Sequence, residues 1–199
     1  METKSIVIAG VGGQGVLLAS DILCHALFQS GYDVKKNEIH GMSQREGAVV
    51  SFIRYGQKVH SPVVSEDSAD FLVSFERLEA MRNLSLLRRG GTAVVNDFRI
   101  LPTPVLLGKA EYPEDIESRF AAKSIDLHLL DAEKIAREVK NPKAVNIVLL
   151  GSLSGYFEDV KKSMWEQAIR SFSKAQFLES NLEAFELGMT ACCKDPAGV

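Results

Sequence analysis

Ser5-Ile6-Val7-Ile8-Ala9-Gly10-Val11-Gly12-Gly13-Gln14-Gly15 opens the chain after four residues and sets the reading of the rest. Ile6 to Ala9 is a short apolar run rich in β-branched residues, as in a strand of a parallel sheet buried on both faces. Gly10, Gly12 and Gly15 then complete G-x-G-x-x-G. Behind them Val16, Leu17, Leu18, Ile22, Leu23, Ala26 and Leu27 recur at helical spacing, and Gly31 stands where a left-handed helix stop belongs. Strand, glycine turn and helix in that order are the context of a phosphate-binding fingerprint. The amides of Gly10, Gly12, Gly13, Gln14 and Gly15 are therefore candidate anion contacts at a helix N-terminus. The same glycines also suit a tight turn that only packs helix on strand, and the motif alone does not choose.

The chain has 199 residues, enough for one domain. We expect a single unit over 1–190, with 158–190 as a helical C-terminal part and 191–199 as a tail. A hydrophobic fraction of 46% and a charged fraction of 25% are those of an ordinary globular protein. A net charge of −3 without a basic cluster argues against nucleic acid as a partner. No apolar run approaches the length of a membrane span, and a strand begins within a few residues of the start, so neither membrane nor secretion is expected and the cytoplasm is. Three cysteines without C-x-x-C cannot hold a four-thiolate cluster, and no His/Cys set has zinc spacing, so no metal site is expected.

Tyr32–His40 reads as a polar edge strand, His40–Gly47 (HGMSQREG) as a loop and Ala48–Tyr55 as a strand. Gly56-Gln57 reads as a turn, with a return strand starting at Lys58–His60. The loop is too short for a parallel crossover, so 32–64 is expected to be an antiparallel ribbon. That weakens a dinucleotide site. Its ribose-binding acid, about twenty residues past the glycines, would have to be Asp33 or Glu38. Alternation then resumes with strand Asp70–Phe75, helix Glu76–Arg89, turn Gly90-Gly91 and strand Thr92–Asn96. An irregular stretch follows at Asp97–Lys109, then helix Pro113–Ala122 and strand Ser124–Leu130. Asp131 is the expected cap of helix Ala132–Val139. Helices follow over Lys143–Tyr156, Val160–Arg170 and Ser173–Gly188. The expected fold class is α/β: a mostly parallel, Rossmann-like sheet with an antiparallel ribbon, helices on both faces and C-terminal helices.

GVGGQG, then E-I-H-G-M-S-Q-R-E-G at Glu38–Gly47, Ser61-Pro62, and A-D-F-L-V-S-F-E-R-L-E-A at Ala69–Ala80 occur in one order. Together they resemble the small (beta) subunit of indolepyruvate:ferredoxin oxidoreductases, within the gamma subunits of 2-oxoacid:ferredoxin oxidoreductases. The resemblance covers about residues 5–155. His40–Gly47 resembles the arylpyruvate form of this loop, with Glu46 where that form commonly has Gly. Pyruvate and oxoglutarate enzymes resemble Y-G-P-E-x-R-G-G there. The resemblance implies oxidative decarboxylation of an arylpyruvate with coenzyme A to an acyl-CoA, carbon dioxide and reduced ferredoxin. It implies that thiamine diphosphate, magnesium and iron–sulfur clusters sit on a large (alpha) partner subunit, with ferredoxin reached through the complex and coenzyme A as co-substrate near this chain. No catalytic residue is implied on this chain. A gamma subunit for pyruvate, oxoglutarate or branched-chain oxoacids, and a stand-alone dinucleotide-binding protein, remain as alternatives.

Ser43, Gln44 and Arg45 are the loop's candidate ligand contacts. Arg45 offers a planar fork to a carboxylate or phosphate and equally suits a salt bridge that pins the loop. Glu76 and Asn96 end two strands of the expected sheet, where such folds bind ligands. Both also stand where an element boundary needs a polar partner.

Overall fold

The computed structural model describes residues 2–41 and 47–192. Six strands form one sheet: β1 (Lys4–Val11), β2 (Asp33–His40), β3 (Ala48–Gly56), β4 (Ala69–Ser74), β5 (Leu87–Asn96) and β6 (Asp126–Leu130), in the spatial order β2-β3-β1-β4-β5-β6. β1, β4, β5 and β6 are parallel, while β3 runs antiparallel to both β1 and β2. The expected ribbon is thus part of the main sheet, and the polar strand is its edge.

The helices among the described residues are α1 (Val16–Gln29), α2 (Arg77–Arg82), α3 (Thr103–Leu106), α4 (Ile116–Ala122), α5 (Ala132–Glu138), α6 (Val145–Ser154), α7 (Lys162–Phe172) and α8 (Leu178–Cys192). Period-two alternation puts both faces of β1 to use. Ile6 and Ile8 join the core made with α1, α6, α7 and α8, and Val7 and Ala9 join the core made with α2 and α4. α6 is apolar all round and buried along its length, which explains a helix with no polar face.

Several boundaries differ from expectation. The helix read over Glu76–Arg89 ends at Arg82. Asn83 accepts no further turn: its Nδ2 donates back to the Glu79 carbonyl at 2.8 Å. A short 3₁₀ turn follows at Leu84–Leu86, and Leu87 already pairs with Ala69 as the start of β5. Leu84 and Leu87 fit a helical stripe, but burial of Leu87 in the sheet core wins. Arg88-Arg89 is therefore not a helix end, and Gly90-Gly91 is a bulge inside a strand rather than a turn. Arg88 to Gly91 stand opposite Asp70 alone, Gly90 has φ of +69°, and Arg88 Nε binds Asp70 Oδ1 at 2.9 Å.

Lys58–His60 is not a strand. β3 already has a partner on each side, and the Val59 N–H donates instead to Asp33 Oδ2 at 2.8 Å. α4 begins at Ile116 rather than at Pro113. α8 continues through Ala191 and Cys192, and 193–199 lie outside the described residues. Asp131 caps α5 as expected, accepting from Lys134 N–H.

Candidate functional site

The site forms where the sheet changes connection. α1, leaving β1, packs on one face, whereas α2, leaving β4, packs on the other. The carboxyl ends of the neighbouring parallel strands β1 and β4 therefore open a crevice, the place where open α/β sheets bind ligands.

The glycine turn forms one lip. Gln14 holds it: Oε1 accepts from Val11 N–H at 2.7 Å, and Nε2 donates to the Phe75 carbonyl at 3.3 Å. Gly10 is packed rather than open, since a Cβ there would lie 2.8 Å from Val16 Cγ2 and 3.0 Å from Phe75 Cβ. Gly13 and Gly15 take φ of +94° and +89°, a backbone that favours glycine. The Gly12 N–H donates to the Gly47 carbonyl at 3.0 Å, and the Gln14 N–H to the Val11 carbonyl at 3.1 Å. Among the described residues nothing accepts from Gly13, Gly15 or Val16 N–H, so anion-binding capacity is left at the α1 end of the turn.

The second motif arrives at the same place. Ala48 pairs with Val11, and the Gly41 N–H donates to the Ala48 carbonyl at 2.9 Å. The base of the His40–Gly47 loop is therefore stitched to the glycine turn. Ser43, Gln44 and Arg45, with Met42 and Glu46, lie outside the described residues.

Glu76 lines the crevice and Asn96 lies buried at the neighbouring end of β5, and both are occupied by the protein. Glu76 is 1% exposed. Its Oε2 accepts from Glu79 N–H at 2.9 Å, capping α2, and its Oε1 accepts from Ile100 N–H at 3.1 Å and Tyr112 Oη–H at 2.5 Å. Asn96 Nδ2 donates to the Phe75 carbonyl and to Glu133 Oε1, each at 3.1 Å, and its Oδ1 accepts from Ala132 N–H at 3.0 Å. Both side chains thus register strand ends. The acids considered for a ribose fare no better. Asp33 pairs opposite Gly56, at the far end of the sheet from the glycine turn, and Glu38 binds Lys36 at 2.7 Å two strands from β1.

The crevice itself is a cleft of about 510 Å³ between Val11-Gly12, the α2 residues Leu78, Glu79 and Arg82, and the segment Ile100 to Leu106. That far wall was legible in the sequence only as an irregular stretch. Leucines beside Pro102 and Pro104 in a segment without helical or strand period are the signal that it covers something. Burial pushes the Glu79 carboxyl up, against the pull of the Arg82 guanidinium 2.5 Å away. Arg82 itself is half exposed and stands as the cleft's cation. Among the described residues no group of three His, Cys, Asp or Glu side chains could hold a metal ion, and no helix is long and apolar enough to cross a membrane. The cleft's chemistry is that of a binding surface: apolar walls, one cation, and carboxylates and glycine-turn amides already engaged.

The model of the pyruvate ferredoxin/flavodoxin oxidoreductase family matches residues 5–191. The chain is 38% identical to indolepyruvate oxidoreductase subunit IorB of Thermococcus kodakarensis, over 96% of each protein. Its fold resembles the gamma subunit of a keto/oxoacid ferredoxin oxidoreductase from Geobacter sulfurreducens, with a TM-score of 0.71 and 21% identity over 95% of this chain and 98% of that one. It also resembles part of a 2-oxoglutarate:ferredoxin oxidoreductase from Magnetococcus marinus solved with 2-oxoglutarate, coenzyme A and succinyl-CoA bound. There the TM-score is 0.73 at 19% identity, covering 96% of this chain and 31% of that one.

Proposed function

Because the chain belongs to the pyruvate ferredoxin/flavodoxin oxidoreductase family, we propose that it is the small subunit of a cytoplasmic, indolepyruvate-type 2-oxoacid:ferredoxin oxidoreductase. The observation that carries this reading is the 38% identity to an indolepyruvate oxidoreductase subunit across 96% of both proteins. The arylpyruvate-type loop Glu38–Gly47 agrees with it. In this reading thiamine diphosphate, magnesium and the iron–sulfur clusters belong to a large partner subunit. Bound there, those groups would supply the electron sink for decarboxylation and the one-electron route to ferredoxin. This chain offers no donor set for a cluster, since its three cysteines lack the spacing.

Its own contribution is a preformed wall. The glycine turn and the His40–Gly47 loop face the partner's active site, with the α1 end of the turn open to the anionic groups of coenzyme A. The Val11–Leu106 cleft suits the apolar part of such a ligand. Arg45 binds a carboxylate or phosphate, assisted by Ser43 and Gln44. Glu76 and Asn96 act indirectly, holding the strand ends on which that wall stands.

The test is reconstitution. The chain and the large subunit, purified together, should reduce a viologen dye with indolepyruvate, thiamine diphosphate, magnesium and coenzyme A. The chain alone should be colourless and inactive. Turnover by the isolated chain would sink the subunit reading. A complex that turns over pyruvate or 2-oxoglutarate in preference to arylpyruvates would sink the substrate assignment alone.

A further inference from the structure

β2 ends the sheet on one side. It pairs with β3 and, among the described residues, with no strand beyond it. Its outer row of N–H and C=O groups over Asp33–His40 is therefore open to a further strand. Lysines commonly blunt such an edge, and two stand here, but both are neutralised within the chain. Lys35 Nζ binds Asp33 Oδ1 at 3.0 Å, and Lys36 binds Asp21 and, at 2.7 Å, Glu38 Oε1. With Asp33 and Glu38 against Lys35 and Lys36, the strand carries no net charge to repel a copy of itself. Apolar surface gathers along the same edge. Ile39 is 55% exposed on one face, and on the other Phe28, 68% exposed, borders a groove of about 320 Å³ with Val34 and Phe172.

The order of charges selects how a copy would fit. Val34 packs toward the core under α1, so Val34, Lys36 and Glu38 share the α1 face, while Lys35, Asn37 and Ile39 share the other. Residues directly opposite one another in an antiparallel pair lie on the same face. Two copies related by a twofold axis must therefore meet with one residue opposite itself. Centring the pair on Lys35, Lys36 or Glu38 would set a like charge against itself. Asn37, exposed and uncharged, is the one central position that does not. The Asn37 centre also sets Lys36 opposite Glu38 on both sides of the axis. On the other face it sets Ile39 opposite Lys35, whose methylene stem can cover apolar surface.

We propose that the β2 edge pairs antiparallel with the β2 edge of a second copy of this chain, about a twofold axis through Asn37, with Lys36 and Glu38 forming reciprocal ion pairs across it. The two sheets become one continuous sheet, and the open ladder of each copy is satisfied by the other. The edge lies at the opposite end of the strand order from β6, with β3 between it and the glycine turn of β1, so pairing leaves the Val11–Leu106 cleft open. The proposal does not rest on the subunit reading, since association is measured on the full chain alone.

Analytical ultracentrifugation of the full chain tests it, with a dimer expected at micromolar concentration. Glu38→Lys turns both attractive cross-strand pairs repulsive and should weaken the dimer about tenfold or more in Kd, while circular dichroism confirms folding. Asn37→Lys, at an exposed position, sets like charges on the axis and should weaken it too, so the test stands if Glu38→Lys fails to fold. Register is read by cross-linking in a Cys192→Ser/Cys193→Ser background. Under a mild oxidant Asn37→Cys should give a disulfide-linked dimer, because facing Cα atoms in an antiparallel pair lie within disulfide reach. Lys35→Cys, which would face Ile39 rather than itself, should not. A chain that stays monomeric at about 100 μM overturns the proposal, and so does a dimer indifferent to both charge variants. Cross-linking of Lys35→Cys as readily as Asn37→Cys also overturns it. Protection of the edge only when the large subunit is present would assign the edge to that subunit and overturn it as well.

Discussion

Gly151 of α6 is where two helices meet backbone to backbone, and Gly151→Ala tests whether that contact holds the C-terminal half together. A Cβ there would stand 2.2 Å from the Phe185 carbonyl oxygen and 3.0 Å from Met189 N, both on α8. Gly188 makes the reciprocal approach: a Cβ there would stand 2.1 Å from the Val148 carbonyl oxygen. Neither obstacle is a side chain that can rotate away, so the helices must part by about 1 Å within a close-packed core. Overpacking of this kind costs about 1–3 kcal/mol. Helix propensity returns up to about 1 kcal/mol on replacing Gly by Ala. Since the clash is entirely with backbone, the upper end of the first figure applies and the net loss is about 2 kcal/mol. With a urea slope of about 2–3 kcal/mol/M for a chain of this size, the midpoint should fall by about 0.7–1 M. Gly155→Ala is the comparator: its φ is −61°, and the nearest atom a Cβ would meet is the Ser152 carbonyl oxygen at 3.7 Å. That variant should be neutral or slightly stabilised. Equal midpoints for the two variants would refute the close-approach argument.

Four further outcomes are expected. Gln14→Ala removes the acceptor for Val11 N–H and a donor to Phe75, and should lower stability by about 1–3 kcal/mol in urea melts of the isolated chain. Glu79→Gln should change the pH dependence of stability. Burial raises the Glu79 carboxyl above its ordinary value, so the native chain holds more protons than the unfolded one between the two values. Its contribution is therefore full below the ordinary value and lost as pH rises toward the folded one. The variant should gain at pH 7 relative to pH 4 against the parent, and an unchanged difference in urea midpoints would contradict this. Burial pushes the Cys24 thiol up to about 12, so in a Cys192→Ser/Cys193→Ser background it should resist iodoacetamide at pH 8 until urea is added. Arg45→Ala should leave the isolated chain's urea midpoint unchanged and lower kcat/KM of the assembled complex about ten- to a hundredfold through KM; unchanged kinetics with a lower melting temperature would make Arg45 a loop pin.

What the sequence disclosed and what it concealed divide by range. The β1–turn–α1 unit was legible because its signals, β-branched run, glycines and helical period, lie within thirty residues of one another. The cap at Asp131 is local too, and it forms as read. Glu76 and Asn96 could be placed at strand ends but not given roles, because their partners lie far along the chain. Tyr112 is 36 residues beyond Glu76, and Glu133 is 37 beyond Asn96. The helix overrun past Arg82 has a related origin: Leu84 and Leu87 keep helical spacing, whereas Asn83 turns back on Glu79 and Leu87 pairs with remote Ala69. Asn146 stands in an apolar helix, and nothing in its sequence neighbours signals its place against Gly15 far upstream.

The geometry at the end of β4 also bears on how the crevice works. The Phe75 carbonyl accepts from both Gln14 and Asn96, so the turn after β1 and the end of β5 are registered against one atom. The next residue, Glu76, caps α2 with one oxygen and holds Ile100 and Tyr112 with the other. Two consecutive residues thus position both lips of the cleft, the glycine turn on one side and the Ile100–Leu106 wall on the other. A ligand entering between Gly12 and Leu101 meets surfaces whose order is already set by buried hydrogen bonds, and little conformational entropy is left to lose on binding. Side chains that could have done acid–base chemistry are spent on this rigidity. That trade agrees with the proposed role, in which this chain supplies a wall and a partner subunit supplies the reacting groups.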